Sequence, residues 1–412
     1  MVIAIIGGGA AGFFAAIRAR EVNPAAKVLI FEKSHHVLSK LAVTGGGRCN
    51  LTNSFASVTN LTQVYPRGEK LLKRLFRVFN HEDTFHWFTE HGVPLVIQED
   101  DCVFPLSQSA MSVVNCLMNE ASRLGVVTLI DHCLQAIQKR PDGRLLLSFT
   151  GQTKMVEVDR VIIATGGHAK LTAFDYLADL GHEIVSPVPS LYTFTVEDKS
   201  LRAMMGTVIT HAVISIVGER FRSEGALLVT HWGMSGPAVL RLSSYAARWL
   251  DECKCRFSIR VNWAGSLNVT EVTNELNTLV TIHRKKEISN VHLEGIPLRL
   301  WHHLLQRAFI PLGLRCGELG RKGMNKLAET ICNDIYVVSG KSFWREEFVT
   351  CGGVSLSSIQ MNTLQSKCVK GLYFAGEVTD VDGVTGGFNL QAAWTMGYVS
   401  GENAAHEENG AS

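Results

Sequence analysis

Three glycines near the N-terminus are spaced for contact with a phosphate group. Gly7, Gly9 and Gly12 follow the pattern G-x-G-x-x-G, in which a backbone free of side chains can approach a pyrophosphate. The helix that begins there supplies unpaired N–H groups and the positive end of a dipole. Glu32, which lies twenty residues past Gly12, offers a carboxylate that can accept hydrogen bonds from both hydroxyls of an adenosine ribose. The spacing predicts a dinucleotide site, and the carboxylate argues against a 2'-phosphate on that ribose.

The elements that must position these residues are visible in the flanking sequence. The apolar run Val2–Ile6 predicts a buried strand before the glycines, and Phe13–Arg18 predicts the helix after them. Lys27–Phe31 predicts a second strand that ends at Glu32. A strand-to-helix turn in any doubly wound sheet can carry glycines without binding a ligand. Strand, glycines, helix, strand and acid in this order favour the dinucleotide site over that simpler explanation.

Two later apolar strands also end in glycine. Asp159–Ala164 leads into Thr165-Gly166-Gly167, and Gly371–Ala375 leads into Gly376-Glu377 before a helix that follows Gly386-Gly387. The chain is therefore expected to begin a nucleotide-binding domain, leave it, and complete it in its last fifty or so residues. A nicotinamide dehydrogenase needs no such return, whereas an FAD domain of the glutathione-reductase type does. The second glycine-led helix N-terminus is then expected to stabilise negative charge on a reduced flavin.

At these positions the chain resembles a known family. The run from Thr44 to Asn53 (T-G-G-G-R-C-N-L-T-N), the strand end Ala164–Gly167, and the closing segment from Gly371 to Gly397 are similar to the bacterial BaiN-like flavoproteins. That family comprises NAD(P)/FAD-dependent oxidoreductases and includes aminoacetone-oxidase-like members and a reductase of a bile-acid pathway. The resemblance covers nearly the whole chain and implies FAD as the cofactor.

The resemblance also implies which residues contact FAD, from the pyrophosphate and adenosine through the middle of the dinucleotide to the flavin end. Leu134 is implied to touch the adenine through its backbone. The implied contacts are Gly7, Gly9, Ala11, Gly12, Glu32, Lys33, Lys40, Gly46, Gly47, Arg48, Asn50, Leu134, Thr165, Gly166, Glu377, Asp380, Gly387, Phe388, Asn389, Leu390 and Gln391.

The expected fold class is α/β. It combines a discontinuous Rossmann-like FAD domain of the glutathione-reductase type with an inserted β-barrel-like domain and a helical cap. The expected boundaries are 1–188 and 350–412 for the FAD domain, 189–267 for the β-rich insert, 268–334 for the helical cap, and 335–349 for the return through the insert. Alternating and β-branched runs predict the strands of the insert, and apolar residues at helical spacing predict the cap. Phe343 and Trp344 are expected in a core or at a domain interface.

Two residues are candidates for a catalytic role. His231 lies in the run Thr230–Pro237, and histidine titrates in the range useful for a proton transfer that accompanies hydride transfer. The competing interpretation is a turn that packs Trp232, with Ser235 capping the following helix. Cys351 lies where the chain re-enters the FAD domain, although a structural thiol is the simpler reading. The ten cysteines include no C-x-x-C pair, which excludes a dithiol flavoenzyme of the glutathione-reductase kind.

Composition excludes several classes of partner. Forty basic and 38 acidic residues give a formal charge of +2, so neither nucleic acid nor a membrane surface is expected as a partner. No apolar stretch approaches the roughly 18 residues needed to span a bilayer, and a cytoplasmic location is expected. No metal is expected, because the histidines lack ligand spacing; His81, His86 and His91 recur every five residues and do not stack on one helix face. The oligomeric state stays open.

The expected function is an FAD-dependent oxidoreductase that carries out two-electron hydride transfer on a small organic substrate. Without a second G-x-G-x-x-G there is no separate nicotinamide domain, so NAD(P)H as donor would have to dock in the cleft under the cap. One alternative is an oxidase of a small amine or ketone that returns electrons to O2. Alternatives of another class are an RNA-modifying flavoprotein and a flavin-binding module without turnover.

Overall fold

The computed structural model describes residues 1–341 and 349–406. Phe343 and Trp344, for which the sequence predicts a core or interface position, lie outside these residues. The chain divides into two compact units. The first comprises Met1–Val188 with Val349–Ser412, and the second is the inserted Pro189–Phe348.

The described residues form helices and strands with the following bounds. The helices are α1 (Ala10–Val22), α2 (Ser39–Gly47), α3 (Glu69–Leu75), α4 (His81–Glu90), α5 (Ala110–Arg123), α6 (Asp175–Ala178), α7 (Lys199–Arg202), α8 (Pro237–Tyr245), α9 (Ala247–Glu252), α10 (Val269–Ile282), α11 (Leu298–Arg307), α12 (Arg321–Cys332) and α13 (Phe388–Ala405). The strands are β1 (Val2–Ile6), β2 (Lys27–Phe31), β3 (Thr52–Asn53), β4 (Leu95–Ile97), β5 (Cys102–Pro105), β6 (Val127–Leu129), β7 (Leu134–Lys139), β8 (Leu145–Phe149), β9 (Val156–Val158), β10 (Arg160–Ile163), β11 (Ile184–Ser190), β12 (Phe194–Val196), β13 (Val208–Ile216), β14 (Arg222–Val229), β15 (Gly233–Ser235), β16 (Phe257–Asn262), β17 (Asp334–Lys341), β18 (Val349–Val354) and β19 (Leu372–Phe374).

A five-stranded parallel sheet forms the centre of the first unit. Its strand order is β19-β10-β1-β2-β6, and Ile5 of β1 pairs with Ile162 of β10 on one side and Ile30 of β2 on the other. A parallel sheet is covered on both faces, so its strands are apolar throughout rather than alternating. This explains why β1, β2 and β10 stand out in the sequence as continuous runs of Val, Ile and Leu.

The two long helices of the first unit pack at close range. A Cβ on Gly397 of α13 would lie 2.7 Å from the carbonyl oxygen of Ala11, and one on Gly401 would lie 2.4 Å from that of Ala15. Glycine at these two positions therefore lets the backbone of α13 lie directly against α1. This contact joins the first and last segments of the chain in one unit and places the N-terminus of each helix at fixed positions around the sheet.

The second unit contains a closed six-stranded barrel in the order β12-β15-β14-β13-β16-β17. Its core continues into α10, α11 and α12, where Trp263 and Trp301 are almost fully buried. The expected fold class, an α/β Rossmann-like domain with an inserted barrel, is confirmed. In the described parts of both units, no helix is both long enough and apolar enough to cross a bilayer.

Candidate dinucleotide site

The turn from β1 to α1 is built around two glycines that tolerate no side chain. Gly7 has φ +112°, and a Cβ there would lie 2.3 Å from the carbonyl oxygen of Ala164; a Cβ on Gly12 would lie 2.0 Å from that of Gly7. Gly9 differs, because a Cβ there would meet nothing within 4 Å. Two glycines thus serve the packing of the turn, and the third faces open space.

No described side chain accepts a hydrogen bond from the first N–H groups of α1. Gly9 is the N-cap residue, no side chain caps the helix, and its first turn contains no acidic residue. The first N–H groups of a helix need an acceptor, and with the dipole they make a ready anion site. The open space at Gly9 lies at this helix start, as a pyrophosphate requires.

Glu32 is held at the end of β2 by its neighbours. Its carboxylate accepts hydrogen bonds from the N–H of Gly8 at 2.8 Å and from the N–H of Ser34 at 2.9 Å. The carbonyl oxygen of Glu32 accepts a hydrogen bond from the N–H of His132 at 2.8 Å. His132 lies two residues before Leu134, the first residue of β7. The structure therefore brings Glu32, the glycine turn and the Leu134 segment together, while Lys33 beside them is exposed.

A second cluster surrounds Glu377. Its carboxylate lies 3.3 Å from Nζ of Lys40 and accepts a 2.8 Å hydrogen bond from the N–H of Thr350. Gly167 has no room for a side chain, because a Cβ there would lie 2.7 Å from Oε1 of Glu377. The end of β10, with Thr165 and Gly166, thus packs beside Glu377.

His168 belongs to this cluster, and sequence reasoning missed it. Its pKa is lowered by burial, then by the charges of Lys33 and Lys40, against the opposing effect of Glu377. A neutral imidazole beside two lysines leaves the net charge of the cluster positive, which suits a diphosphate. The available signal was its position directly after Thr165-Gly166-Gly167.

The glycine run in the last turn of α2 exposes bare backbone. The helix is interrupted by non-helical backbone at Thr44, Gly45 and Gly46, and a Cβ on Gly46 or Gly47 would meet nothing within 4 Å. The guanidinium of Arg48 lies 4.5 Å from the centre of the Phe104 ring. Backbone without side chains next to open space can approach a flat ring or a phosphate closely.

The N-terminus of α13 is fastened to the segment after Arg48. Gly387, its N-cap residue, has φ +89°, and the amide of Asn50, oriented to satisfy both neighbours, accepts from the N–H of Gly387 and donates to the carbonyl oxygen of Thr52. The hydroxyl of Thr52 donates to Oε1 of Gln391 at 2.5 Å. Like α1, α13 has no capping side chain and no acidic residue in its first turn, so its free N–H groups can receive a negative charge.

The remaining residues of this segment have structural contacts. Asn389 holds the preceding loop, with its side-chain oxygen accepting from the N–H of Gly383 and its nitrogen donating to the carbonyl oxygen of Gly383, both at 2.8 Å. The carbonyl oxygen of Phe388 accepts from the hydroxyl of Tyr65 at 2.9 Å. Leu390 is half-buried, and the N–H of Asp380 donates to Val354 at 3.0 Å.

A half-buried arginine was also missed by sequence reasoning. Arg67 is paired with the fully buried carboxylate of Asp382. Burial opposes its charge, but the hydrogen bond and the charge of Asp382 raise the pKa of the guanidinium above its ordinary value. The pair joins residues 315 positions apart, so no local pattern could have shown it. Arg67 brings a positive charge close to Asp380 and Cys351.

The two candidate catalytic residues lie in different units. Cys351 is fully buried in β18 of the first unit. His231 is an exposed residue of the second unit, and its ring lies edge-on to Trp232 at 4.5 Å. The expectation that Ser235 caps the following helix is wrong: Gly236 is the N-cap of α8, with φ +95° and no side-chain cap.

One group of metal-ligating types occurs among the described residues. Ligand atoms of Glu21, His91 and Glu120 lie within 4.8 Å of one another. Both carboxylates are already paired with arginine, Glu21 with Arg18 at 3.1 Å and Glu120 with Arg123 at 2.5 Å. The group is accounted for by these ion pairs.

Comparison with known proteins assigns the chain to a family. The family described as HI0933-like protein Rossmann domain matches residues 1–403. The chain belongs to the HI0933-like family. It is 28% identical to a Clostridium scindens protein named 3-dehydro-bile acid delta(4,6)-reductase over 415 residues, which covers 98% of each chain. It is 27% identical to the ribosomal RNA dihydrouridine synthase of Haemophilus influenzae over 404 residues, which covers 96% of each chain.

A solved structure of another protein shows the same fold. The 3-ketosteroid-delta4-(5alpha)-dehydrogenase of Rhodococcus jostii superimposes with a TM-score of 0.54 at 13% identity, covering 98% of this chain and 96% of that one. With its family and its bile-acid reductase relative, this HI0933-like protein is an FAD-dependent oxidoreductase. The resemblance to BaiN-like flavoproteins is confirmed.

The residues present fit FAD. Open space at Gly9, Gly46 and Gly47 accepts backbone-close ligand atoms, and the uncapped starts of α1 and α13 provide two separate anion sites. An FAD molecule carries negative charge at its diphosphate, and at its ring when reduced, so the donor set of this HI0933-like protein matches both ends of the cofactor.

Proposed function

We propose that this protein is an FAD-dependent reductase that saturates a carbon–carbon double bond conjugated to a carbonyl group, with NAD(P)H as electron donor. The observation that carries this proposal is the bond type shared by two relatives of nearly equal identity. A 3-dehydro-bile acid delta(4,6)-reductase acts, by its name, on double bonds in line with a 3-oxo group. A dihydrouridine synthase saturates the double bond of uracil that is conjugated to a ring carbonyl.

The chain's own residues supply binding and electrostatics for this reaction. Bound FAD supplies the two-electron hydride chemistry. The open N–H groups of α1 take the diphosphate, Glu32 takes the adenosine ribose, and Lys40 with Glu377 lines the middle of the dinucleotide. The uncapped start of α13, held by Asn50 and Thr52, stabilises the negative charge of the reduced ring. These roles follow from the chemistry of the groups at each position.

Two classes of substrate fit the reaction. A small organic molecule is the class expected from the sequence, and the bile-acid reductase supports it. A uracil base in RNA is the second candidate, and the charge distribution favours it. Residues 189–348 contain twenty basic and fifteen acidic residues, a formal charge of +5, whereas the rest of the chain has twenty basic and 23 acidic residues, a formal charge of −3. A basic insert is the electrostatic footprint of a polyanion partner, and the overall value of +2 conceals it.

Anaerobic stopped-flow spectroscopy tests the reaction. Purified holoprotein is mixed with NADH or NADPH, and bleaching of the flavin band is followed; the reduced protein is then mixed with a conjugated enone such as 2-cyclohexenone. The proposal expects fast bleaching by one nucleotide and reoxidation by the enone without oxygen. Bleaching by a small amine or ketone, with reoxidation only by O2, would establish the oxidase alternative instead. A flavin that no donor reduces would establish a binding module without turnover.

Flavin content tests the placement of the adenosine. Glu32→Ala removes the carboxylate at the end of β2 and is expected to lower the fraction of purified protein that retains FAD. The matched control Glu99→Ala removes the same charge from an exposed position of the same unit and should leave flavin content unchanged. Full retention of FAD in the Glu32 variant would contradict the ribose assignment.

A further inference from the structure

The helical part of the second unit has a groove whose lining combines cationic side chains with an exposed aromatic ring. It lies between the C-terminal end of α11 and the exposed side of α12, has a volume of about 560 Å³, and includes Phe309, Lys326 and Asn333 in its lining. A second groove of about 660 Å³ between α10 and α12 shares Lys326 as a wall residue and adds Lys322. The two grooves share Lys326 and Glu329 as wall residues, and we call the two together the α12 surface.

The cations of the α12 surface are available to a ligand. Lys322 and Lys326 are exposed and one helical turn apart, and within the described residues neither makes an ion pair. Residues at this spacing lie on the same helix face. Two free ammonium groups in a row match consecutive phosphates of an extended strand.

The carboxylates beside them are already engaged. Asp334 is 3% exposed and accepts hydrogen bonds from Arg307 at 2.6 Å and from the indole of Trp263 at 2.9 Å. Asp198 accepts from the same arginine at 3.2 Å, and Glu329 accepts from the side chain of Asn333 at 3.0 Å. Arg307 thus balances one of the two aspartates. On the exposed side of α12 itself, the cations Arg321, Lys322 and Lys326 outnumber the single carboxylate of Glu329, so this side of the helix carries a net positive charge.

Phe309 supplies the second, independent observation. Its side chain is 87% exposed, and its backbone has φ +59°, a conformation that is unfavourable for a residue with a bulky side chain. The ring makes no aromatic contact with any other described residue. The backbone of Phe309 ends α11, because its N–H donates to the carbonyl oxygen of Gln306 at 3.0 Å and that of Ile310 to Leu305 at 2.9 Å. Glycine or asparagine is usual at such a position, and this cap does not require an exposed aromatic ring. An exposed aromatic at the edge of a basic groove is the arrangement on which unpaired bases stack.

We propose that the α12 surface binds single-stranded RNA, with Lys322 and Lys326 against phosphates and Phe309 stacked on a base. This inference rests on the RNA candidate of the proposed function and assigns it a binding surface. An acidic peptide would satisfy the lysines but leave the exposed ring without a role. The side-chain amides along the groove, among them Asn274, Asn325 and Asn333, can hydrogen-bond base edges and 2'-hydroxyls.

Fluorescence anisotropy of full-length holoprotein with a labelled twenty-nucleotide oligouridylate tests the proposal. Lys322→Glu with Lys326→Glu is expected to weaken binding at least tenfold. It should also flatten the dependence of log affinity on log salt by about 1.4, since each single-strand phosphate contact contributes about 0.7. Phe309→Ala should weaken binding about tenfold, and Phe309→Trp should restore it. The control Lys139→Glu with Lys154→Glu makes the same charge change on exposed residues of the first unit and should have little effect.

Three results would overturn the assignment: equal weakening by both lysine pairs, unchanged binding in the Phe309→Ala variant, or competition by polyglutamate as effective as by unlabelled oligouridylate. Reduction of 2-cyclohexenone is measured on the same samples. The α12 variants should retain full flavin content and full enone reduction, because they change the RNA surface alone. If the unmodified protein does not reduce 2-cyclohexenone, the proposed reaction is contradicted whatever the RNA measurements show. Failure of the proposed reaction and failure of the RNA surface are therefore distinguishable.

Discussion

The first N–H groups of α10 are hydrogen-bonded by side chains at the start of that helix, whereas the first N–H groups of α1 have no side-chain acceptor among the described residues. At α10 in the second unit, the side chain of Asn268 accepts from the N–H of Glu271 at 3.1 Å, and the carboxylate of Glu271 accepts from the N–H of Asn268 at 2.7 Å. At α1 in the first unit, no side chain caps the helix. A helix whose N–H groups are satisfied by its own residues needs no ligand, whereas an uncapped start leaves donors for one. An uncapped start alone does not mark a binding site, because α11 and α12 also lack a side-chain cap; at α1 the open space beside Gly9 adds the room that a ligand needs.

The largest effect is expected from two glycines of the β1–α1 turn. Gly12→Ala forces a Cβ to within 2.0 Å of the carbonyl oxygen of Gly7 and should destabilise the first unit by more than about 4 kcal/mol. Gly9→Ala meets no protein atom within 4 Å, so it should leave the apoprotein's melting temperature unchanged while lowering FAD affinity at least a hundredfold. Thermal unfolding and FAD titration of both variants measure this.

Gly313→Ala in the second unit is the control, because it also has open space around it and should change neither quantity. If Gly9→Ala bound FAD as the unmodified protein does, the open space at α1 would not be the pyrophosphate position.

Breaking the buried hydrogen-bond network around Asp334 in the second unit should lower the stability of the protein without changing its flavin content. Asp334 is buried and joined to Arg307, Trp263 and Tyr336. Asp334→Ala leaves the arginine without its closest anion and is expected to lower the free energy of unfolding by about 3 kcal/mol, measured by urea denaturation. Flavin content, which depends on the first unit, should stay constant. A loss below about 1 kcal/mol would mean that Asp198 alone suffices for Arg307.

Acid should destabilise the fold through four histidines that are buried or half-buried. Burial lowers the pKa of His81, His168, His182 and His303 below the ordinary value of 6.5, so below that pH the unfolded chain binds protons that the folded chain does not. The free energy of unfolding therefore rises with pH in this range; the contribution is complete above pH 6.5 and is lost as the pH falls toward the lowered values. Melting temperatures between pH 7.5 and 5 measure the effect.

Variants locate this pH dependence in each unit. His182→Gln in the first unit and His303→Gln in the second should each flatten the slope, and His36→Gln, an exposed position, should not. An unchanged slope in both buried variants would assign the acid sensitivity to other groups.

The smallest effect is expected at the capped helix start. Asn268→Ala removes an acceptor for two N–H groups of α10 and should cost about 1 kcal/mol, with no change in flavin content. Asn80→Ala at α4 provides the same test in the first unit, where the cap is also complete. A loss of FAD in the Asn268 variant would show that the capped start of α10 also affects flavin binding, contrary to this prediction.

The elements that could be predicted from the sequence are those whose sequence patterns span only a few neighbouring residues. Each glycine turn is a few residues long, and a buried parallel strand is a continuous apolar run, so β1, β2, β10 and β19 could be expected without structural information. The inserted barrel followed from alternation along its strands. The cap of α8 was wrong because Gly236, at φ +95°, occupies the position that Ser235 was expected to fill, and one residue's difference lies within the ambiguity of helix ends.

By itself, the sequence determined the strands, glycine turns and helix starts of a Rossmann-like domain and predicted a dinucleotide site there, because glycine spacing and strand patterns act over short distances. Only the tertiary structure decided which charged groups meet. The pair of Arg67 with Asp382, the arrangement of Asp198 and Asp334 around Arg307, and the cluster of His168 with Lys40 and Glu377 join distant segments. The same holds for the exposure of Phe309, since a phenylalanine in sequence is by default a core residue. Such contacts depend on how elements pack, and no periodicity along the chain encodes them.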